Sequence, residues 1–141
     1  MCIWDFNSAC DNYSHPVTEP QHFELQYNVW YYMLSKDEDF INAVIERYRA
    51  LRQGVLSDAY LNGYMDAVVE WLGPAVDRNF SVWGYALDKD MISPAERNPH
   101  THTEAVTQMK RFCADRGAWM DEHIDILRQY SHESRNKKFN H

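Results

Sequence analysis

Beyond Pro20 the order of apolar and polar residues turns helical. His22 to Leu34 reads HFELQYNVWYYML, with Phe23, Tyr27, Trp30, Tyr31 and Leu34 at steps of three and four, which places them along one helix face. The next stretch, SKDEDFINAVIERYRALRQG, carries a continuous stripe of Phe40, Ile41, Val44, Ile45, Tyr48 and Leu51. Ser35 and Glu38 have capping-box spacing, which predicts that this helix starts at Ser35, and its acidic opening suits the positive end of the helix dipole. Arg47, Arg49 and Arg52 crowd its last turns, where cations are favoured, and Gly54 follows as the stop.

A third helix is predicted from Ser57, with Leu61, Tyr64, Met65, Val68, Val69 and Leu72 inward. Gly73-Pro74 interrupts it. Proline is tolerated in a first helical turn, so PAVDRNFSVW reads as a separate or kinked helix ending near Gly84. From Tyr85 to His100 the periodicity disappears and two prolines mark a surface loop. Thr101 and Glu104 form a second capping-box pair, opening the longest helix. Its apolar positions run from Ala105 or Val106 through Met109, Phe112 or Cys113, Trp119 or Met120, Ile124 and Leu127 to Tyr130. Gly117 lies inside this helix at a cost of about 1 kcal/mol against alanine, which predicts the close approach of another backbone. Residues 131–141 are polar and mixed in charge and read as a loose tail, leaving residues 1–130 as one helical domain.

Ahead of the helices, residues 1–20 hold turn formers and two prolines, with strand character only at Cys2–Phe6. The fold class is therefore mostly α: four to five helices with an N-terminal loop or short strand packed across them. Length and composition agree. A chain of 141 residues, 45% hydrophobic and 14% aromatic, can bury a single core.

Charge narrows the function. A net charge of −7 and a pI near 5.4 lack the basic face of a nucleic-acid binder. No apolar run reaches the roughly 18 residues of a membrane span, and the N-terminus shows no signal-peptide pattern. Three cysteines, Cys2, Cys10 and Cys113, give an odd count with no CxxC spacing. They read as reduced thiols, Cys113 buried on its helix, in keeping with a reducing compartment. A Cys2–Cys10 bridge is the alternative.

Candidate chemistry is sparse. Among seven histidines there is no HExxH and no pair at helical i,i+4 spacing, and the NPHTHTE run sits at a helix start, where such residues cap more often than they bind metal. No GxSxG elbow and no glycine-rich phosphate loop is present. Arg47, Arg78, Arg111 and Arg116 adjoin apolar stripes; pairing with Asp66, Asp77, Asp115 or Asp121 would make them clamps between helices, the alternative being a phosphate or carboxylate site. The N-terminal WDFN sets Asp5 between two rings with Asn7 two residues on. This is either an oxygen-ligand site for a hard cation such as Mg²⁺ or a turn cap with Trp4 and Phe6 plugging the core.

IWDFNSACDNY resembles the segment WDF(D/N)-x-A-F-G-N-Y of the CotH-like kinases, spore-coat and secreted proteins with an atypical kinase fold. The order continues with DEDFINAVIERYRALRQGVLS, then AVDRNFSVWG containing Arg78 and Trp83. TEAVTQMKRFCADRGAWMDEHI follows, where Arg116, Trp119 and Asp121 match a closing R-x-x-W-(L/M)-D. The resemblance implies a kinase that uses ATP and Mg²⁺ to phosphorylate protein, with Asp5 as metal-binding acid, Asn7 as the polar position after it, and the later matched residues as scaffold. Two departures stand out. Cys10-Asp11 replaces the family's Phe-Gly, losing the glycine's backbone freedom. The family's nucleotide-binding lobe, phosphate-contacting lysine and catalytic-loop acid all precede WDFN, where this chain has Met1, Cys2 and Ile3. The expectation is a truncated or degenerate C-terminal module, inactive alone, whose partner is the missing lobe or another protein chain. The rivals are a helical interaction or self-association module that forms homo-oligomers, and a weak residual Mg²⁺–nucleotide binder. The family's exported and spore-coat members leave the compartment open.

Overall fold

A computed structural model describes Cys10, Asn12, Phe23 and residues 29–131. Among these, the α-helices are α1 (Val29–Leu34), α2 (Glu38–Arg52), α3 (Asp58–Leu72), α4 (Pro74–Trp83) and α5 (His102–His123). Tight 3-10 turns cover Gly84–Leu87, Ala95–Arg97 and Ile124–Tyr130, and no strand occurs among the described residues. The chain is mostly helical, as its periodicity implies. The strand expected at Cys2–Phe6 and the tail from 132 onward lie outside the described residues.

The described residues group into two compact units: Cys10, Asn12 and 58–116 form one, and Phe23, 29–57 and 117–131 the other. In the second unit the apolar stripe of α2 does what its spacing requires. Ile41 and Ile45, one turn apart, are fully buried against Ile124 and Leu127, with Phe23, Phe40, Val44, Tyr48, Met120 and Tyr130 packed around them. The start of α2 departs from the capping-box expectation. Its N-cap is Asp37, whose carboxylate accepts the Phe40 N–H at 2.9 Å. Ser35 is buried and instead donates its hydroxyl to the Tyr32 carbonyl at 2.7 Å, closing the end of α1. A carboxylate accepts from an orphan N–H more strongly than a hydroxyl does, so the later residue takes the cap.

The long C-terminal helix also ends before the sequence pattern suggests. After His123 the backbone tightens to a 3-10 turn. Ile124, Leu127 and Tyr130 recur at a strict spacing of three, and in a 3-10 helix such residues eclipse one another. The tighter winding thus puts all three on one side, against the α2 stripe.

In the first unit, Met65 of α3 is buried and Leu61, Val68 and Val69 are half-buried. Tyr64, expected inward, is 62% exposed because it lies about 100° round the helix from Met65. Leu72, also expected inward, is at the helix end and 37% exposed. Gly73 adopts φ +46, a left-handed conformation that glycine accepts readily, and this turns the chain into α4 with Pro74 in its first turn.

The segment between α4 and α5 is organised by one side chain. Buried Asn98 accepts the Met91 and Ile92 N–H groups through Oδ1 at 2.9 and 2.8 Å. Its Nδ2 donates to the Ile92 and Ala95 carbonyls at 2.7 and 2.8 Å. A loop that reads as unpatterned is thus held by a fully satisfied amide. At the start of α5, the Thr101 hydroxyl accepts the Glu104 N–H at 3.1 Å, as the capping-box spacing requires. Glu104 reaches back to the His100 N–H at 2.8 Å.

Candidate functional site

The side chains that converge most closely lie where α2 meets the C-terminal part of α5. Gly117 and Asp121 are one helical turn apart on the same face of α5. Because Gly117 has no side chain, the Arg52 guanidinium can lie directly over the helix: a Cβ there would fall 2.8 Å from Arg52 Cζ and Nη1. From that slot Arg52 donates through Nε at 3.0 Å to both Asp121 oxygens, and through Nη2 at 2.8 Å to Oδ2. Nη1 donates to the Leu56 carbonyl at 2.6 Å. The Tyr48 hydroxyl, one turn before Arg52, lies 2.8 Å from Asp121 Oδ1 and 3.2 Å from the Gly117 carbonyl. One turn beyond Asp121, Asp125 receives Arg49 and Arg128, and Arg128 also donates to Asn42 Oδ1 at 3.2 Å.

Electrostatics follow the geometry. The hydrogen bond from Arg52 holds the Asp121 carboxyl below the usual carboxylate range, with the Tyr48 hydroxyl adding to the effect and burial opposing it. Asp125 is likewise lowered, first by Arg128 and then by Arg49. A carboxylate so lowered and so fully engaged makes a poor general base; it serves as an anchor.

What lies over Gly117 is thus a guanidinium, not the neighbouring backbone that a glycine inside the helix predicts. Flat and pinned by hydrogen bonds to Asp121 and to the Leu56 carbonyl, it fits the side-chain-free strip that glycine leaves. The partner of Asp121 is Arg52, an arginine the sequence reading placed only in the dipole-favoured last turn. The usable signal was the pair Gly117 and Asp121 at i,i+4, which leaves a gap beside an acid. Of the arginines singled out, Arg47, Arg78 and Arg111 stand exposed on α2, α4 and α5, and Arg116 is half-buried on α5. Trp119 packs between Phe23, at 4.8 Å, and the nearly parallel ring of His123, at 4.6 Å. Trp83 is exposed beside Tyr85.

In the first unit, Asp66 is paired with Lys110 at 2.5 Å, and burial, with smaller effects of Cys10 and Asp58, pushes the Cys113 thiol up to about 11. The described histidines have local partners: His100 bonds the Leu87 carbonyl at 2.8 Å, His102 packs on Phe80, and His123 bonds the Trp119 carbonyl. Among the described residues, no group of three or more His, Cys, Asp or Glu side chains is placed to hold a metal ion, and no helix is long and apolar enough to cross a membrane. Asp5 and Asn7, the metal-binding positions that the resemblance implies, lie outside the described residues.

No curated protein and no solved structure matches the chain. The family described as CotH kinase protein does match, over residues 1–120. That span takes in the WDFN segment, α1 to α4 and most of α5, and on it this chain belongs to the CotH kinase protein family.

Proposed function

We propose that these 141 residues are the C-terminal helical part of a CotH-like kinase and that by themselves they do not transfer phosphate. The observation that carries the reading is the family match beginning at residue 1, with WDFN at its front, followed by an all-helical body among the described residues. By the resemblance, Asp5 holds the metal that neutralises nucleotide phosphates and Asn7 supports it. The lysine and acid that complete phosphoryl transfer belong to sequence ahead of WDFN. Phosphoryl transfer rests almost wholly on positioning these groups together, so one metal ligand on a helical scaffold is insufficient. Arg52, Tyr48 and Asp121 are then scaffold: they fix the C-terminal part of α5 to α2.

The test is transfer of labelled γ-phosphate from Mg²⁺-ATP to a mixed protein acceptor by the purified chain. No transfer is expected from the wild type. Transfer that disappears in Asp5→Ala overturns the proposal. Calorimetry with Mg²⁺-ATP addresses the residual-binding alternative, which predicts weak heat that Asp5→Ala removes.

A second reading, a helical interaction or self-association module, is favoured by the apolar surface of the first unit. Trp71 is 83% exposed and Met91 74%, with Tyr64, Val82, Trp83 and Tyr85 all more than half exposed. Where such side chains adjoin, they form the kind of apolar patch that a partner chain covers. Light scattering that returns a monomer across the micromolar range counts against self-association.

A further inference from the structure

Helix α3 is apolar on two sides. Leu61, Met65, Val68 and Val69 form one side, which is buried or half-buried. At about 100° of rotation per residue, Tyr60, Tyr64, Ala67 and Trp71 fall within a second arc of about 60°, centred about 100° round the helix from the first. The three rings are each more than half exposed, and Ala67 is exposed among them. No charged residue of α3 enters this arc: Asp66 and Glu70 lie beyond its edge, and Asp66 is engaged by Lys110. A helix apolar over so much of its circumference is ordinarily covered.

The spacing of the stripe points to what covers it. Its four members are symmetric about a point midway between Met65 and Asp66. A second α3 laid antiparallel about that point sets Tyr60 against the second copy's Trp71, and Tyr64 over the second copy's Ala67. Each contact then occurs twice, as a two-fold interface requires. A bulky residue meets a small one at the centre, where two packed helices come closest, and ring meets ring at either end.

We propose that α3 pairs antiparallel with α3 of a second copy of this chain through Tyr60, Tyr64, Ala67 and Trp71, an inference that rests on the self-association reading and names its surface. At about 150–250 Å² for a fully buried aromatic side chain, the exposed parts of the three rings come to about 300–500 Å² per copy, or about 600–1,000 Å² per pair. Standard interfaces bury about 1,600 Å², so this one is weak and reversible, with a Kd of about 10–100 µM.

The test is sedimentation equilibrium of the whole chain from about 1 to about 500 µM, a range that brackets that Kd, with circular dichroism checking that each variant keeps the wild-type helix content. Tyr64→Ala leaves a hole over Ala67, and Ala67→Tyr forces two rings into one place; each should weaken association by about tenfold or more. The register exchanges positions 64 and 67, so the combined Tyr64→Ala/Ala67→Tyr chain rebuilds the same bulky–small pairs and should return to within about threefold of wild type. If wild type associates but the combined chain is no better than the weaker single variant, the copies meet through another surface; the α3 pairing is then overturned while self-association stands. A wild type that stays monomeric throughout overturns both and leaves this face to a different chain.

Discussion

Substituting alanine at the two mid-helix glycines should move stability in opposite directions. At Gly63 in α3, an added Cβ meets nothing within 4 Å. Gly63→Ala therefore gains helix propensity alone, about 1 kcal/mol of stabilisation. At Gly117 the same propensity gain is offset. The new Cβ would lie 2.8 Å from Arg52 Cζ and Nη1 and 3.0 Å from Nη2, closer than carbon and nitrogen tolerate. A side-chain tip can usually swing away cheaply, but this one is pinned to Asp121 and to the Leu56 carbonyl. Displacing it weakens a charge-assisted bond to a carbonyl, worth about 1.5–3 kcal/mol. It also loosens a bidentate ion pair, which weighs about 0.5–1 kcal/mol because water reaches the half-exposed Asp121 carboxylate. Against about 1 kcal/mol of propensity, the net is a destabilisation of about 1–3 kcal/mol. Urea denaturation of the two variants beside wild type reads this as a midpoint shifted down for Gly117→Ala and up for Gly63→Ala. In an Arg52→Ala background the penalty at 117 should vanish and the propensity gain reappear. If Gly117→Ala stabilises the otherwise wild-type chain as much as Gly63→Ala does, Arg52 does not occupy the slot and the reasoning fails.

Two further tests follow from other parts of the fold. Asn98→Ala leaves the Met91 and Ile92 N–H groups without their acceptor in a part-buried setting, and should destabilise by about 1–3 kcal/mol, read by thermal melting; a loss under about 0.5 kcal/mol would show that water replaces the amide. Asp121 and Asp125 are both lowered relative to the unfolded chain, so their stabilisation is complete above the ordinary aspartate value of about 3.9 and is lost as pH falls through their folded values. Stability measured from pH 6 down to pH 2 should therefore fall with acid below about pH 4, and the part due to Asp121 should shrink in Arg52→Ala, where only the Tyr48 hydroxyl still lowers it. An identical acid limb in wild type and Arg52→Ala would refute that assignment.

Much of this protein is legible in its sequence because the relevant physics is local. The spacing of Ile41 and Ile45, the acids and arginines at opposite ends of α2, Pro74 after Gly73, and Thr101 three residues before Glu104 each act within a turn or two of helix, so the pattern declares the element. The WDFN segment and the order of the helices after it likewise sufficed to bring the family into view. What the tertiary structure decided were choices among local candidates that only distant residues can settle. Asp37 and not Ser35 caps α2, because Ser35 closes α1. Arg52 and not Arg47 takes Asp121, because Gly117, 65 positions along the chain, leaves a strip open enough for its guanidinium. Asn98 orders a stretch with no period, through contacts whose energies depend on three-dimensional proximity and leave no periodic trace in a sequence.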